Sequence, residues 1–466
     1  MESRITHNRN VSPIKTIPDE LLLRIFAILV GWDDTRCDYW TGKSPRMYSK
    51  RRNRCGRHAT TISSVNAPWR YLMINTASFW SHIDVFLEHG HWLPLKAFSL
   101  RCLRQVKNAP IELHIHCDQT KHFDISTVGF PSYICDRTVT SLILMTASSV
   151  VVQPIVSHYL GLTVRSYLKK LKVEYIRPTG SSVYIISPEQ AGQPWFFESM
   201  LRLNTLMLSS VTLDWAHAQF SGLVDLQLYD IEPSPSMDQI CNVLIANPHL
   251  STVELEWVHM DSHDFSVAES KSRERIKLPK LNLLNLGGKG WDFIGYLLQV
   301  IDPGINLPCL KISSFSTPAE ALSSVDDLHS FFTRQKITTL SLAIPNAPLD
   351  LILPCPEGLT NLVFANQYVG DLSMIIDTIG SQDTSLRRII LRDCRVTIKG
   401  LRRIASIHSV QSLWLEHCMY APPIYDHYFS ELPEDDLSWL EETVPDLYVD
   451  YAHHERKRGS LPWWLE

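Results

Sequence analysis

The sequence predicts an α/β protein whose larger part is a leucine-rich-repeat solenoid, a horseshoe with a parallel sheet on its concave face, behind a short helical domain. Three observations carry this expectation. An apolar pattern recurs at near-constant spacing, helical periodicity appears between its occurrences, and a separate helical stretch precedes it.

The recurring pattern is LxxLxL, whose last three positions alternate in and out as a strand buried on one face must. It begins at Val139, Leu168, Leu203, Leu223, Leu250, Leu281, Leu307, Ile337, Leu359, Leu386 and Val410. The mean separation of these eleven starts is about 27 residues, within the ~20–29 expected of leucine-rich repeats. Three residues beyond the last strand leucine the pattern wants a residue that turns the chain, and Cys394 and Cys418 sit there as buried turn cysteines. Between strands, Met237–Leu244, Phe293–Val300, Leu328–Phe332 and Leu401–Ala405 space apolar residues three and four apart, which predicts helices. Asn247-Pro248 and Asp302-Pro303 lie where two of these helices should stop.

Such units bury their leucines only against their neighbours, so their strands line up in one parallel sheet. The intervening strand residues then face outward: Lys170, Lys172, Gln227, Tyr229, Glu254, Glu256, Arg388, Arg392, Trp414 and Glu416. A long surface of mixed charge and aromatics suits a protein or peptide partner. Taken singly, each is an ordinary solvated strand residue; the candidate is the surface as a whole.

Composition is that of a folded protein: 45% apolar and 20% charged residues, with a net charge of −5. Basic residues outnumber acidic ones only in the first seventy positions, so no nucleic-acid footprint extends over the chain. Ten cysteines run from Cys37 to Cys418 without a CxxC pair, and the first sixteen residues lack an apolar run. These features predict reduced thiols in an intracellular protein, cytoplasmic or nuclear. No apolar run reaches the ~18 residues of a membrane span.

Residues 14–82 read as helices. Ile17-Pro18-Asp19-Glu20 opens one, with proline and acids in the first turn. Leu21, Leu22, Ile25, Phe26 and Leu29 then form an apolar face, and Ile62, Val65, Trp69, Leu72 and Met73 mark a second helical stretch. Helices this few leave an apolar face in want of a partner. The stretch Ile17 to Phe26 resembles the LPxELLxxIF opening of the F-box. Ile62 to Arg70 is similar to its second half, VCxxWR, and Thr76 to Ile83 resembles the TPxLWSxI that follows in fungal F-box proteins. The chain departs from that pattern at Asn66 for Cys, at Pro68 for a basic residue, and in a basic insert from Trp32 to Arg57.

The resemblance to F-box proteins with leucine-rich repeats implies a substrate-receptor subunit of an SCF-type cullin–RING ubiquitin ligase. Ile17, Pro18, Leu22, Ile25, Phe26, Val65 and Trp69 would contact a Skp-type adaptor, and the repeats would hold a protein substrate. The alternative is a repeat scaffold whose F-box has decayed through the insert. The expected organisation is a tail at 1–13, the helical domain at 14–82, the repeats at 83–420 and a capping segment at 421–466, with Trp439, Leu440, Tyr448 and Trp463-Trp464 as its apolar residues.

The insert carries Lys43, Arg46, Lys50, Arg51, Arg52, Arg54 and Arg57, read as a solvated basic loop, with a nuclear-import signal or a phosphate-binding loop as the functional alternatives. Cys37, Cys55 and His58 lack a fourth zinc ligand. His114 and His116 share one face of a strand predicted from Ile111 to Cys117; metal binding is the functional reading of the pair, and ordinary surface or partly buried strand histidines the preferred one. Gly287-Gly288-Lys289-Gly290 lacks the phosphate-loop pattern, and GxSxG, HExxH and GxGxxG are absent. The sequence therefore predicts a binding protein with neither catalytic residues nor a cofactor.

Overall fold

The computed structural model describes residues 17–30, 54–87, 100–117, 138–161, 167–176, 183–186, 193–256, 274–288, 291–304, 306–314, 325–344, 358–365, 368–369, 386–407, 410–421 and 431–450. It is an α/β structure of long parallel sheets and helices, divided into two compact units, Met1–Leu203 and Asn204–Glu466. Cys37, Lys43 to Arg52, Lys289-Gly290 and Trp463-Trp464 lie outside the described residues.

The first unit opens with helices α1 (Asp19–Val30), α2 (Arg54–Val65) and α3 (Ala67–Asn75) and a 3-10 turn, Ala77–Trp80. Helix α2 starts at Arg54, so the last residues of the predicted insert belong to a helix. Asn66 separates α2 from α3: its backbone is extended and its side chain accepts a hydrogen bond from the Trp69 amide at 2.8 Å. Pro68 fits the first turn of α3, where a missing N–H costs nothing. Asn66 and Pro68 together thus form a capped helix start. Phe26, Ala59, Ile62 and Met73 fill the small core, and Trp80 closes it with its indole N–H donated to the Met73 carbonyl at 2.8 Å.

Four parallel strands follow: β1 (His82–Phe86), β2 (Ile111–Cys117), β3 (Val139–Thr146) and β4 (Lys170–Tyr175). Helix α4 (Ser149–Gly161) crosses between β3 and β4, and α5 (Pro194–Met200) ends the unit. Ile83, Leu113, Leu142 and Leu171 share one buried row, and Val85, Ile115, Leu144 and Val173 the next.

Among the described residues the main sheet of the second unit holds ten parallel strands, each paired with the next of that sheet in chain order. They are β5 (Thr205–Ser209), β6 (Asp225–Tyr229), β7 (Thr252–Glu256), β8 (Leu283–Gly288), β9 (Asn306–Ser314), β10 (Lys336–Ala343), β11 (Asn361–Ala365), β12 (Arg388–Arg392), β13 (Ser412–Glu416) and β14 (Asp446–Asp450). The strand leucines form two unbroken rows: Leu206, Leu226, Val253, Leu284, Leu310, Leu340, Leu362, Ile389 and Leu413, and Leu208, Leu228, Leu255, Leu286, Ile312, Leu342, Phe364, Leu391 and Leu415. All eighteen are buried. At about 1.5–3 kcal/mol for each side chain removed from water, these rows dominate the unit's stability.

The helices predicted from periodicity are α6 (Met237–Ala246), α7 (Trp291–Val300), α8 (Val325–Arg334) and α9 (Ile398–Ala405). Ser236 and Gln239 form a reciprocal capping box at the start of α6, and Asn247 caps its end. In the last predicted segment, α10 (Glu434–Thr443) leads into β14, which pairs parallel with β13 and so adds a further strand to the array.

One turn recurs after the strands. Ser210, Asp230, Asp393 and His417 each follow a strand directly and each adopts a positive φ near 50°. The turn drops the next residue, Val211, Ile231, Cys394 or Cys418, into the core. The Cys394 thiol lies 3.4 Å from the Phe364 carbonyl and that of Cys418 3.3 Å from the Leu391 carbonyl, so each ties one unit to its neighbour. Small polar residues tolerate this left-handed backbone better than branched ones. No helix among the described residues is long and apolar enough to cross a membrane.

Candidate functional site

Two surfaces collect the residues singled out in the sequence. The first lies on the helices of the N-terminal unit. Leu22 and Phe26 turn inward, and the Phe26 ring meets Trp69 edge-on with centroids 4.8 Å apart. These residues hold the helices together, so contact with a partner falls to the residues beside them. Ile17 and Trp69 are half-buried and Pro18 is exposed. Leu21, Ile25, Ile28 and Leu29 on α1, with Val65 at the end of α2, stay exposed, from 42% for Ile25 to 67% for Ile28. Two short helices thus carry a contiguous run of exposed apolar side chains.

The second surface is the face of the strands opposite the leucine rows. In the second unit, register places Met207, Gln227, Glu254, Asn285, Lys311, Ser341, Val363, Ile390, Trp414 and Tyr448 in one continuous row. The predicted residues cluster at its two ends. At one end Tyr229 pairs with Glu256, and Gln227 with Glu254. Asn285 donates to Glu254 at 2.9 Å and to Glu256 at 2.6 Å, bridging the two carboxylates. Gly287 leaves room there: a Cβ at that position would meet the Ser313 hydroxyl and the Glu256 stem. Burial pushes the Glu256 carboxyl up, partly opposed by Asn285, and burial with the two nearby carboxylates pushes the Tyr229 phenol up.

At the other end Arg388 lies over the Trp414 ring, 5.0 Å from its centroid, and Trp414 packs against Tyr448 with centroids 5.3 Å apart. Arg392 donates to Glu416 at 2.6 Å across the same strand pair. This end is aromatic and charged and Tyr448 is exposed, the chemistry of an anchor for a peptide or protein.

In the first unit Lys170 lies 3.9 Å from Glu112 and is half-buried. Lys172, expected to face outward, is only 4% exposed, a correction to its place on an open surface. It stands in register with Ile143, which is buried as well, so this part of the face is packed rather than open. Glu174, two residues further along, has its carboxyl raised to about 7 by burial. The sequence missed this residue because burial of an outward strand position depends on what lies over it.

The fold defines an α/β protein of parallel strands and helices with an exposed apolar helix face and a mixed polar and aromatic strand face. No protein-family model matches the chain, and no curated protein matches it.

Proposed function

We propose that this chain is an F-box protein with leucine-rich repeats, the substrate-receptor subunit of an SCF-type cullin–RING ubiquitin ligase. In this reading the helices hold a Skp-type adaptor, the repeats curve into a horseshoe whose strand face holds a protein substrate, and the ubiquitin chemistry occurs on other subunits within the cell. One observation carries the proposal. The segment that resembles the F-box opening exposes the apolar side chains of Leu21, Ile25, Ile28 and Leu29 while its Leu22 and Phe26 hold the helices together. An adaptor would cover that face. The regular strand array behind it supports the second half of the reading, since such arrays offer long binding faces.

The test is co-purification of the full chain with a Skp-type adaptor. A one-to-one complex is expected, and Ile25→Glu with Leu29→Glu should weaken it at least a hundredfold while leaving the circular dichroism spectrum unchanged. Lack of any complex with the unmodified chain, or a complex indifferent to the double variant, would sink the proposal. An adaptor-independent partner held by the strand face would instead favour the scaffold alternative.

A further inference from the structure

The first two strands carry a group of side chains that the proposed function leaves unused. His82 and Asp84 project from one face of β1, and Glu112 and His114 from the same face of β2. Register sets His82 opposite Glu112 and Asp84 opposite His114, so acids and imidazoles alternate around a square. Asp84 Oδ1 lies 3.2 Å from His82 Nε2 and 3.5 Å from His114 Nδ1. The other nitrogens of the two rings face Glu112: His82 Nδ1 is 3.5 Å from Oε2 and His114 Nε2 is 3.3 Å from Oε1. The rings stand 4.1 Å apart at 68° to each other. Four such groups together on one strand pair exceed what an ordinary ladder of cross-strand pairs requires.

We propose that His82 Nε2, Asp84 Oδ1 and His114 Nδ1 bind a divalent first-row transition metal ion, with Glu112 as the outer carboxylate that orients both imidazoles. Two arguments support the assignment. The first is spacing. Ligands at about 2.0–2.1 Å from a tetrahedral zinc ion stand about 3.3–3.4 Å from one another, which is the separation of Asp84 from either imidazole. All three ligand atoms lie within 4.8 Å of one another.

The second is the division of labour between the two acids. Metal-binding histidines donate their remaining N–H to a carboxylate, which fixes the tautomer. Glu112 sits on the far nitrogen of both rings and is itself held by the Ser141 hydroxyl at 3.3 Å, with the Lys170 ammonium 3.9 Å away.

Two imidazoles and a carboxylate suit zinc, cobalt or iron rather than calcium or magnesium. Water would complete the coordination, because Asp84 keeps 21% of its side chain exposed. The bound ion would clasp β1 to β2, next to the turn Ala77–Trp80 that joins the helices to the strands.

The experiment titrates Co2+ and Zn2+ into the metal-stripped full chain, followed by calorimetry and by the visible absorption of Co2+. One ion per chain is expected, with d–d bands of a nitrogen and oxygen site and no thiolate charge-transfer band. Thermal unfolding should move to higher temperature as free Zn2+ rises. Asp84→Asn should weaken binding at least tenfold, Glu112→Gln roughly 10- to 100-fold through the loosened imidazoles, and His116→Gln should leave it unchanged. Circular dichroism in chelator identifies any variant that fails to fold; Asp84→Asn, nearly isosteric, decides the matter if His114→Gln does not fold. No saturable binding, a thiolate band, or binding retained when both His82→Gln and His114→Gln are present would each overturn the proposal and leave an ionic cross-strand cluster.

Discussion

Asn247 offers the sharpest test of how the repeats hold together. It is 1% exposed at the end of α6, and all its side-chain hydrogen bonds reach backbone. Its Oδ1 accepts from the Leu223 amide at 2.9 Å, while its Nδ2 donates to the Phe220 carbonyl at 3.1 Å and to the Val243 carbonyl at 2.7 Å. The side chain therefore joins the helix to the loop that enters β6. Replacement by alanine removes three hydrogen bonds and leaves buried backbone groups without partners. At about 1 kcal/mol for each bond, the expected loss is about 3 kcal/mol, or roughly 6–12 °C in melting temperature for a unit of this size. Amide exchange locates the effect: the Leu223 N–H should lose protection before the central strands do. Asn282→Ala, which removes an exposed Nδ2 bond to the Ser251 hydroxyl, is the control and should stay within about 0.5 kcal/mol of the parent. An Asn247→Ala chain as stable as the parent, with Leu223 still protected, would refute the reasoning.

Other outcomes follow from the same structure. Phe26→Ala should destabilise the helical segment by about 3–5 kcal/mol, because the side chain is fully buried against Trp69; helical circular dichroism on heating and denaturant checks this. Asn66→Ala should cost about 1 kcal/mol through loss of the α3 cap, read in the same assay. Glu174 gives a pH signature: its folded carboxyl titrates at about 7 against an ordinary 4.5, so between these values the folded chain holds a proton that the unfolded chain has released. Stability then falls as pH rises from about 4.5 to about 7 and levels off beyond. Glu174→Gln should flatten that slope and add up to about 3 kcal/mol at pH 7 and above, measured by denaturant unfolding across the range.

Much of the array was legible because its signal is local and repeated. A strand buried on one face must alternate, and each repeat must supply its own leucines, so the pattern survives counting along the chain. Three strands escaped the count for a physical reason. At β1 and β2 the leading position is Trp80 or Pro110 rather than a leucine, though Ile83 and Val85, and Leu113 and Ile115, keep the rest. At β14, Val444, Leu447 and Val449 fit the template, but the apolar residues of this last stretch read as the cap a terminal repeat requires. What fills the leading position is decided by the volume to be filled, and an indole held by the Met73 carbonyl fills it as well as a leucine does.

The sequence by itself determined the class of architecture, the strand and helix alternation, the two buried leucine rows and the apolar character of the first helix. It did so through periodicity, which needs no knowledge of distant residues. Only the tertiary structure decided which apolar residues of that helix face inward, that Lys172 is packed away and Glu174 half-buried, and that Asn247 joins three backbone groups. Only register brought His82 and Asp84 against Glu112 and His114, about thirty positions along the chain. Each of these depends on which strand lies alongside which, and cross-strand distance is a property of the folded sheet that no spacing along the chain contains.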